Sequence, residues 1–530
     1  MLKTASGDKV IKRLLFASSV ALAGTYCPLA SANGFEYNFS GYLREYMAWK
    51  LENSPDFGSG SSGKRVGSAG DLIMARTVVR LDFDGSYGDI RLKAIGRLVD
   101  EANTRYLKDL AKSVRATGGN DDFVKDDYED GHAQLREVYA IFPVTSNLSL
   151  TLGKQQVAWG EGDFFRTADI IHGNDLRWSP AERENEETRN PLWLVNAVLS
   201  FPTIESQLQL ILRPGWDAAE DVVNLRDIFG GRGTQQPFKG FDLTAGNPRN
   251  FHHSTGDTND ANYGARWMSR VPGTNLDYTL FYYRGLWRDG VTNSVFNPKN
   301  ELHTPPPKLF SLIGETIYPT VDQWGTTWNY DIPGLNMVLR GEATYIPNRP
   351  FNYGSKGFVT PFFTVPVPGL GGIKEKSVLS TLWAFDKNVN WTMDLLKTQR
   401  AGLWTVEIFD DWITNLHNGD DLVAIFGNGA TAQEHHTIFT STLTLNYKYD
   451  NIQPGVALLW DLNYGDVVFV PSLALRFGDH WRVYSEATLA VPKHTIKPVA
   501  QGLGEIENDS HVLGLDSNNN QLMVRVTYEF

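Results

Sequence analysis

The 530-residue chain has one cysteine, Cys27, and no apolar run long enough to cross a bilayer as a helix. A single thiol excludes an internal disulfide and a thiolate-ligated metal, so stability must come from hydrogen bonding and packing. No low-complexity tract, linker or solenoid-length repeat breaks the chain, which argues against a string of small domains. Cationic excess is also missing: 49 Lys and Arg face 61 Asp and Glu, a formal net charge of −12, so a nucleic-acid partner is not expected. No nucleophile elbow or His–carboxylate signature is found. His172, Asp169, Asp175 and Ser179 are close in sequence only, and the protein is not expected to be an enzyme. The pairs His252–His253 and His435–His436 would point to opposite strand faces. The acidic run from Asp121 to Asp130 lacks the spacing of a ligand loop. Neither a metal site nor another cofactor is expected, beyond Ca²⁺ bridging acidic loops to lipopolysaccharide.

What is present begins with an address. Lys9, Lys12 and Arg13 precede an apolar stretch from Leu14 to Ala23, and Ala30-Ser31-Ala32 offers small residues for a signal peptidase. Residues 1–32 therefore read as a cleavable signal peptide and 33–530 as one barrel domain. Tyr26 stands where a lipidation signal before Cys27 needs a small residue. Cleavage removes four cations and one anion, so the formal charge of −12 becomes −15.

At the other end, Leu522, Val524, Val526, Tyr528 and Phe530 alternate with Arg525, Thr527 and Glu529. A strand has a side-chain period of two, so one face is apolar and the other polar. The final aromatic, with Tyr528, resembles the signal that the outer-membrane barrel assembly machinery of Gram-negative bacteria reads. The same alternation runs through Phe35 to Leu43, Thr77 to Phe83, Ile90 to Val99 and Leu443 to Tyr449. Aromatics make up 12% of the chain, including 15 Trp and 21 Tyr, which suits the two interfacial girdles of a membrane barrel. A mean hydropathy of −0.30 is no obstacle, because a barrel strand is apolar on one face only.

Short connections are expected at 86–89, 144–147, 202–205, 271–275, 331–335, 387–389, 450–453 and 478–480. Long polar stretches are expected at 52–71, 103–131, 160–190, 215–259, 288–319, 348–372, 414–434 and 492–519. This wiring predicts an all-β, transmembrane antiparallel barrel of about 18 strands (16 to 20), with short periplasmic turns and long extracellular loops, in the outer membrane. Asn390 to Trp412 could hold one strand or two, and Tyr464 to Asp466 is short for an outer loop. A soluble propeller would need a repeated blade motif, which is not seen.

The densest unusual stretch follows the strand Leu135-Arg136-Glu137-Val138-Tyr139-Ala140: a run reading GKQQVAWGE from Gly153, then DIIHGNDLR from Asp169. Over Leu135 to Trp178 the chain resembles a large family of Gram-negative outer-membrane barrels catalogued as a domain of unknown function. The run Glu182 to Arg189 departs from that pattern. The resemblance implies a barrel associated with a periplasmic lipid-binding-like protein and an inner-membrane permease, and with transport of hydrophobic compounds.

Glu161, Asp163, Arg166, Asp169, His172, Asp175 and Arg177 bring charge without an apolar period, so the 160–190 loop is expected to fold inward as a gate. Phe164 and Phe165 could line a hydrophobic route or pack the loop against the wall. Arg76, Arg80, Arg91, Lys93 and Arg97 fall at inward positions as a basic ladder beside Asp82 and Asp84. The function expected is a channel or transporter for small hydrophobic or amphiphilic molecules. A diffusion porin for polar or anionic solutes is the alternative, and a structural or surface-binding barrel comes third. Expected surroundings are outer-membrane lipid and lipopolysaccharide.

Overall fold

A period-two strand can give one face to lipid and one to water only if its sheet has no open edge, because an unpaired backbone group in hydrocarbon costs several kcal/mol. The computed structural model, which describes residues 30–32, 34–53, 67–116, 132–175, 185–221, 224–225, 248–296, 301–303, 305–307, 314–355, 358–359, 364–365, 369–423, 430–493, 513–516 and 519–530, closes that edge. Eighteen antiparallel strands form the wall. They are β1 (Phe35–Lys50), β2 (Leu72–Tyr87), β3 (Ile90–Glu101), β4 (His132–Pro143), β5 (Leu148–Gln155), β6 (Leu192–Phe201), β7 (Ser206–Arg213), β8 (Asn262–Arg270) and β9 (Leu276–Leu286). The other half is β10 (Thr320–Ile332), β11 (Met337–Tyr353), β12 (Gly372–Val389), β13 (Arg400–Ile413), β14 (His435–Asn446), β15 (Ile452–Asp461), β16 (Val467–Phe477), β17 (Trp481–Val491) and β18 (Gln521–Glu529).

Each strand pairs with its sequence neighbours, and β18 pairs back to β1 from Tyr42 opposite Glu529 to Lys50 opposite Gln521. Gly41 and Phe530 exchange two backbone hydrogen bonds of 3.0 Å, which completes the closure. Glycine is required there, since a Cβ at Gly41 would run into the Arg80 carbonyl oxygen and the Phe530 ring. The apolar positions of β18 face out, while Arg525 and Thr527 face the lumen. A short strand at Ala30–Ala32 pairs with the start of β1, across the expected cleavage point; residues 1–29 lie outside the described residues.

The exterior carries two aromatic levels. Trp193, Tyr263, Trp324 and Trp460 lie exposed toward the long-loop ends, and Phe39, Trp404, Phe477 and Trp481 toward the short-turn ends. Leu81, Leu98, Leu152, Leu210 and Leu280 are exposed between them. That is a lipid-facing band between two girdles.

Connections differ from expectation in three places. The turn expected at 387–389 lies further on, because β12 continues to Val389 and a helix, Trp391–Leu396, fills the connection. The uncertain stretch after Asn390 is therefore one helix and one strand. The turn at 331–335 is moved to Pro333–Asn336, where Asn336 adopts a left-handed φ of 49°, and that at 450–453 to Tyr447–Asn451, where Lys448, Tyr449 and Asp450 have positive φ. The Tyr464–Asp466 connection is a tight one at the long-loop end. There Asp461 accepts from the Asn463 and Tyr464 backbone at 3.1 and 3.0 Å.

One long loop adds a helix, α1 (Arg105–Ala116). The Thr104 hydroxyl caps it by accepting from the Leu107 N–H at 3.2 Å. Tyr106, Leu107 and Leu110 bury against Tyr46, Ile73, Met74, Val78 and Met523 on the inner wall. The cap that this loop puts over the lumen is thus apolar. A Gly41→Ile substitution is expected to lower barrel stability by about 1–3 kcal/mol through overpacking. The loss would appear as a lower transition temperature of the heat-modifiable band in gel electrophoresis, and wild-type mobility behaviour would count against closure at Gly41.

Candidate functional site, a plug across the lumen

Strand β5 ends at Gln155, and the described residues 156–175 and 185–191 that follow lie inside the barrel before the chain rejoins the wall at Leu192. The first anchor is Trp159, which is fully buried. Its ring packs against Phe281 and Tyr283 with centroids 5.4 and 6.0 Å away, and its indole N–H donates to Gln209 at 2.9 Å. Gly264 makes the seat, because a Cβ there would lie 2.9 Å from the indole.

Past Trp159 the segment reaches the opposite wall, where its backbone is held by side chains. Glu342 of β11 accepts from the N–H groups of Glu161, Gly162 (3.1 Å) and Ala168 (2.8 Å). Glu407 of β13 accepts from the Asp163 N–H at 2.9 Å. Arg340 donates to the Glu161 carbonyl and meets the Asp163 carboxylate at 3.4 Å. Thr344 donates to the Thr167 carbonyl at 2.9 Å. Gly160 lets the segment double back, since a Cβ there would sit 2.6 Å from the Asp169 nitrogen.

Phe164 and Phe165 turn to a third part of the wall. Phe165 stacks on Phe409 at 5.4 Å, and both rings pack against an apolar inner surface of Ile438, Ala457, Leu459, Val468, Val470 and Ala490. These residues come from four successive strands, β14 to β17, at positions facing the lumen.

The return limb holds the charges. Asp169 accepts from Arg189 at 2.5 Å and lies 4.0 Å from Arg166. His172 is buried and spends both ring nitrogens on backbone: Nε2 accepts from the Val157 N–H and Nδ1 donates to the Asn190 carbonyl, each at 2.8 Å. Among the described residues no carboxylate bonds to it, and the sequence neighbours Asp169 and Asp175 do not form a dyad with it. Asp175 lies in a two-residue strand pairing with Asn224–Leu225. Arg177, Ser179 and the acidic run 121–130 lie outside the described residues. Among the described residues no cluster of three His, Cys, Asp or Glu could hold a metal. His435 and His436 bond different partners, Asp410 at 2.9 Å and Asp461 at 2.8 Å.

The basic row expected on β2 and β3 is on the inner face, but it is neutralised. Arg80 meets Asp82, Glu186 and Glu187 at 3.0, 3.1 and 3.2 Å. Arg97 meets Glu187 at 3.3 Å, Lys93 meets Asp84 at 2.9 Å and Arg76 meets Glu101 at 3.9 Å. Arg91 stands exposed at the short-turn end, opposite Ser86. Glu187 also accepts from the Tyr42 hydroxyl at 2.6 Å. Burial alone would raise its pKa, but Arg136, Arg97 and the Tyr42 bond outweigh it and hold it at about 2.

Glu186, Glu187 and Arg189 fall in the run that departs from the family pattern, and sequence reasoning gave them no role. Glu342 and Glu407 were missed too, since a lone Glu on a strand carries no local sign of a partner far along the chain. The mixed faces of β4 have a cause: the register slips between Ile95 and Gly96. This bulge lets both Arg136 and Glu137 bury inward. Arg136 then donates to the Arg189 carbonyl at 2.8 Å, and Glu137 accepts from Gln156 at 3.1 Å.

A closed, membrane-spanning β-barrel whose lumen is crossed by a side-chain-latched plug is the class that this geometry defines. The chain belongs to the family described as "Protein of unknown function (DUF1302)", which matches residues 13–502. No curated protein sequence matches it. Among solved structures it is similar to the outer membrane channel DcaP of Acinetobacter baumannii, with 11% identity, TM-score 0.42, and coverage of 95% of this chain and 100% of that one. It is also similar to Acinetobacter baumannii OccAB3 (8%, 0.45, 93% and 99%) and Pseudomonas aeruginosa OccK9 (OpdG) (8%, 0.45, 93% and 97%).

Glu342→Ala orphans the Gly162 and Ala168 N–H groups at a cost of about 1–3 kcal/mol each. Amide exchange there should accelerate by at least about tenfold, and unchanged exchange would refute the latch. His172 supplies a pH dependence. Burial lowers its pKa well below the usual value, and nearby Arg189, Arg288 and Arg213 add to this against the Asn190 bond. A group depressed in the docked state supports docking above its free pKa of about 6.5 and withdraws that support as pH falls. Proteolysis within 157–175 should therefore quicken below about pH 6, and His172→Gln should flatten the profile.

Proposed function

We propose that this barrel sits in the outer membrane of a Gram-negative cell and passes small hydrophobic or amphiphilic molecules, with the loop 160–190, described at 160–175 and 185–190, as its gate. The observation that carries this reading is the apolar inner wall beneath Phe164 and Phe165. A lumen serving only polar solutes is wetted all round by polar side chains, whereas four adjacent strands here present Ile, Leu, Val and Ala to the interior. The neutralised arginine row supports the same reading, because paired charges give little net field to draw anions. The exterior girdles support a membrane setting, and the short turns and termini share one end, which we assign to the periplasm. The family resemblance supports a periplasmic lipid-binding carrier and an inner-membrane permease as partners, and divalent cations as bridges between acidic loops and lipopolysaccharide.

In planar bilayers the purified protein should give no steady ohmic current, while cells lacking it should lose uptake or release of a hydrophobic probe. Phe165→Ala removes a contact worth about 1.5–3 kcal/mol and should change that transfer by about tenfold. Steady current without probe transfer would instead favour a diffusion porin, and neither current nor transfer would leave a structural barrel.

A further inference from the structure

The inner face that carries the apolar wall changes character toward the short-turn end. Along β16 the inward positions run Val468, Val470, Ser472, Ala474 and Arg476, from the long-loop end to the turn. On β15 they run Leu459, Ala457, Gly455 and Gln453, and on β17 Ala490, Thr488, Glu486, which accepts from the Tyr484 hydroxyl at 2.8 Å, Tyr484 and Arg482. Six residues of strand separate Val470 from Arg476, about 20 Å. The apolar end is under the plug. The other end opens on a cavity of about 390 Å³ lined by Arg44, Arg476, Arg482 and Arg525.

Of these, Arg476 and Arg482 stand nearest the turn. Arg476 and Arg482 are directly opposite each other on adjacent strands, an arrangement that is destabilising between like charges. The two carboxylates that line the cavity are engaged: Glu529 meets Arg482 at 2.9 Å and Asp450 meets Arg400 from the neighbouring turn. Arg476 makes no ion pair among the described residues. Arg44 lies 4.2 Å over the Tyr42 ring and Arg525 4.9 Å over the Tyr484 ring, which hold their planes at the cavity wall. The larger cavity on the other side of the lumen, about 590 Å³, is different: Glu161, Glu205 and Asp277 line it with a single arginine, Arg270, which Asp277 binds at 2.8 Å.

We propose that the cargo is a long-chain amphiphile with an anionic oxygen head, carried along this strip with its tail on the β14–β17 wall and its head on Arg476 and Arg482. A guanidinium pair offers forked donors to a carboxylate or phosphate, and an anion there relieves the cross-strand repulsion. The proposal rests on the reading of the apolar wall as a cargo surface and adds the head group to it.

Competition against a fluorescent fatty acid on the detergent-solubilised full chain tests it, with myristate, tetradecanol and acetate as competitors. Myristate should compete about tenfold better than tetradecanol, as a charge-assisted contact requires, and acetate should fail. Arg476→Gln should erase most of that preference while tetradecanol competes as before, and Arg476→Lys should keep part of it. Without ligand, Arg476→Gln should raise the melting temperature, since it removes a like-charge neighbour. Equal competition by acid and alcohol would overturn the head-group assignment and leave the apolar cargo reading standing. Acetate competing as well as myristate would overturn the strip. Binding of neither long-chain compound would remove the apolar reading as well.

Discussion

A chain segment drawn through the lumen leaves the ladder that satisfies backbone elsewhere, and every N–H and C=O it carries into the interior needs another partner. In this barrel the partners are sorted by chemistry. Acidic side chains of the wall, Glu342 and Glu407, take the plug's N–H groups. Guanidinium groups of Arg340, Arg288 and Arg136 take its carbonyls at Glu161, Ile170 and Arg189. Charges that would otherwise read as a lumen field are therefore backbone ligands. Their geometry is directional, so the plug has one seat, and each bond can be exchanged for one to water where the lumen is wet.

The barrel was legible because its signals are local. Alternation in β18, β2 and β3 assigns faces from the period of two alone, and turn residues with short spacings count hairpins. Local signals failed where another element intervened: the Trp391–Leu396 helix displaced a turn, and the slip at Gly96 put Arg136 and Glu137 on one face. The segment bonded to the inner wall starts at Gln156, before the charged run that the sequence singled out. Its latches were not legible. Glu342 meets Ala168 across 174 residues and Tyr42 meets Glu187 across 145, and nothing near either residue in sequence encodes such a meeting. The basic row and its neighbours Asp82 and Asp84 could be read, yet the pairing of Arg80 and Arg97 with Glu186 and Glu187 could not, because those two come from a segment brought back by the plug.

The way the plug is held says which part can move. Its entry is fixed by Trp159, buried among Phe281, Tyr283 and the Gly264 gap, and its exit by the Arg189–Asp169 pair and by Glu187 among Arg80, Arg97 and Tyr42. The entry is held by burial and the indole–Gln209 bond, and the exit by buried ion pairs that bulk water screens poorly. The middle, Gly162 to Phe165, is held by backbone bonds to the Glu342 and Glu407 carboxylates, by the Asp163–Arg340 pair and by one ring stack, and the Asp163 side chain is half exposed. On the proposed gating, the part that would move is this middle, lifting away from β11 and β13. What it uncovers is the Ile438–Val470 surface, which water wets poorly. Under the proposed function, a gap opened there would favour an apolar chain over hydrated ions, because the lightly wetted part of the wall lies beneath the middle of the plug.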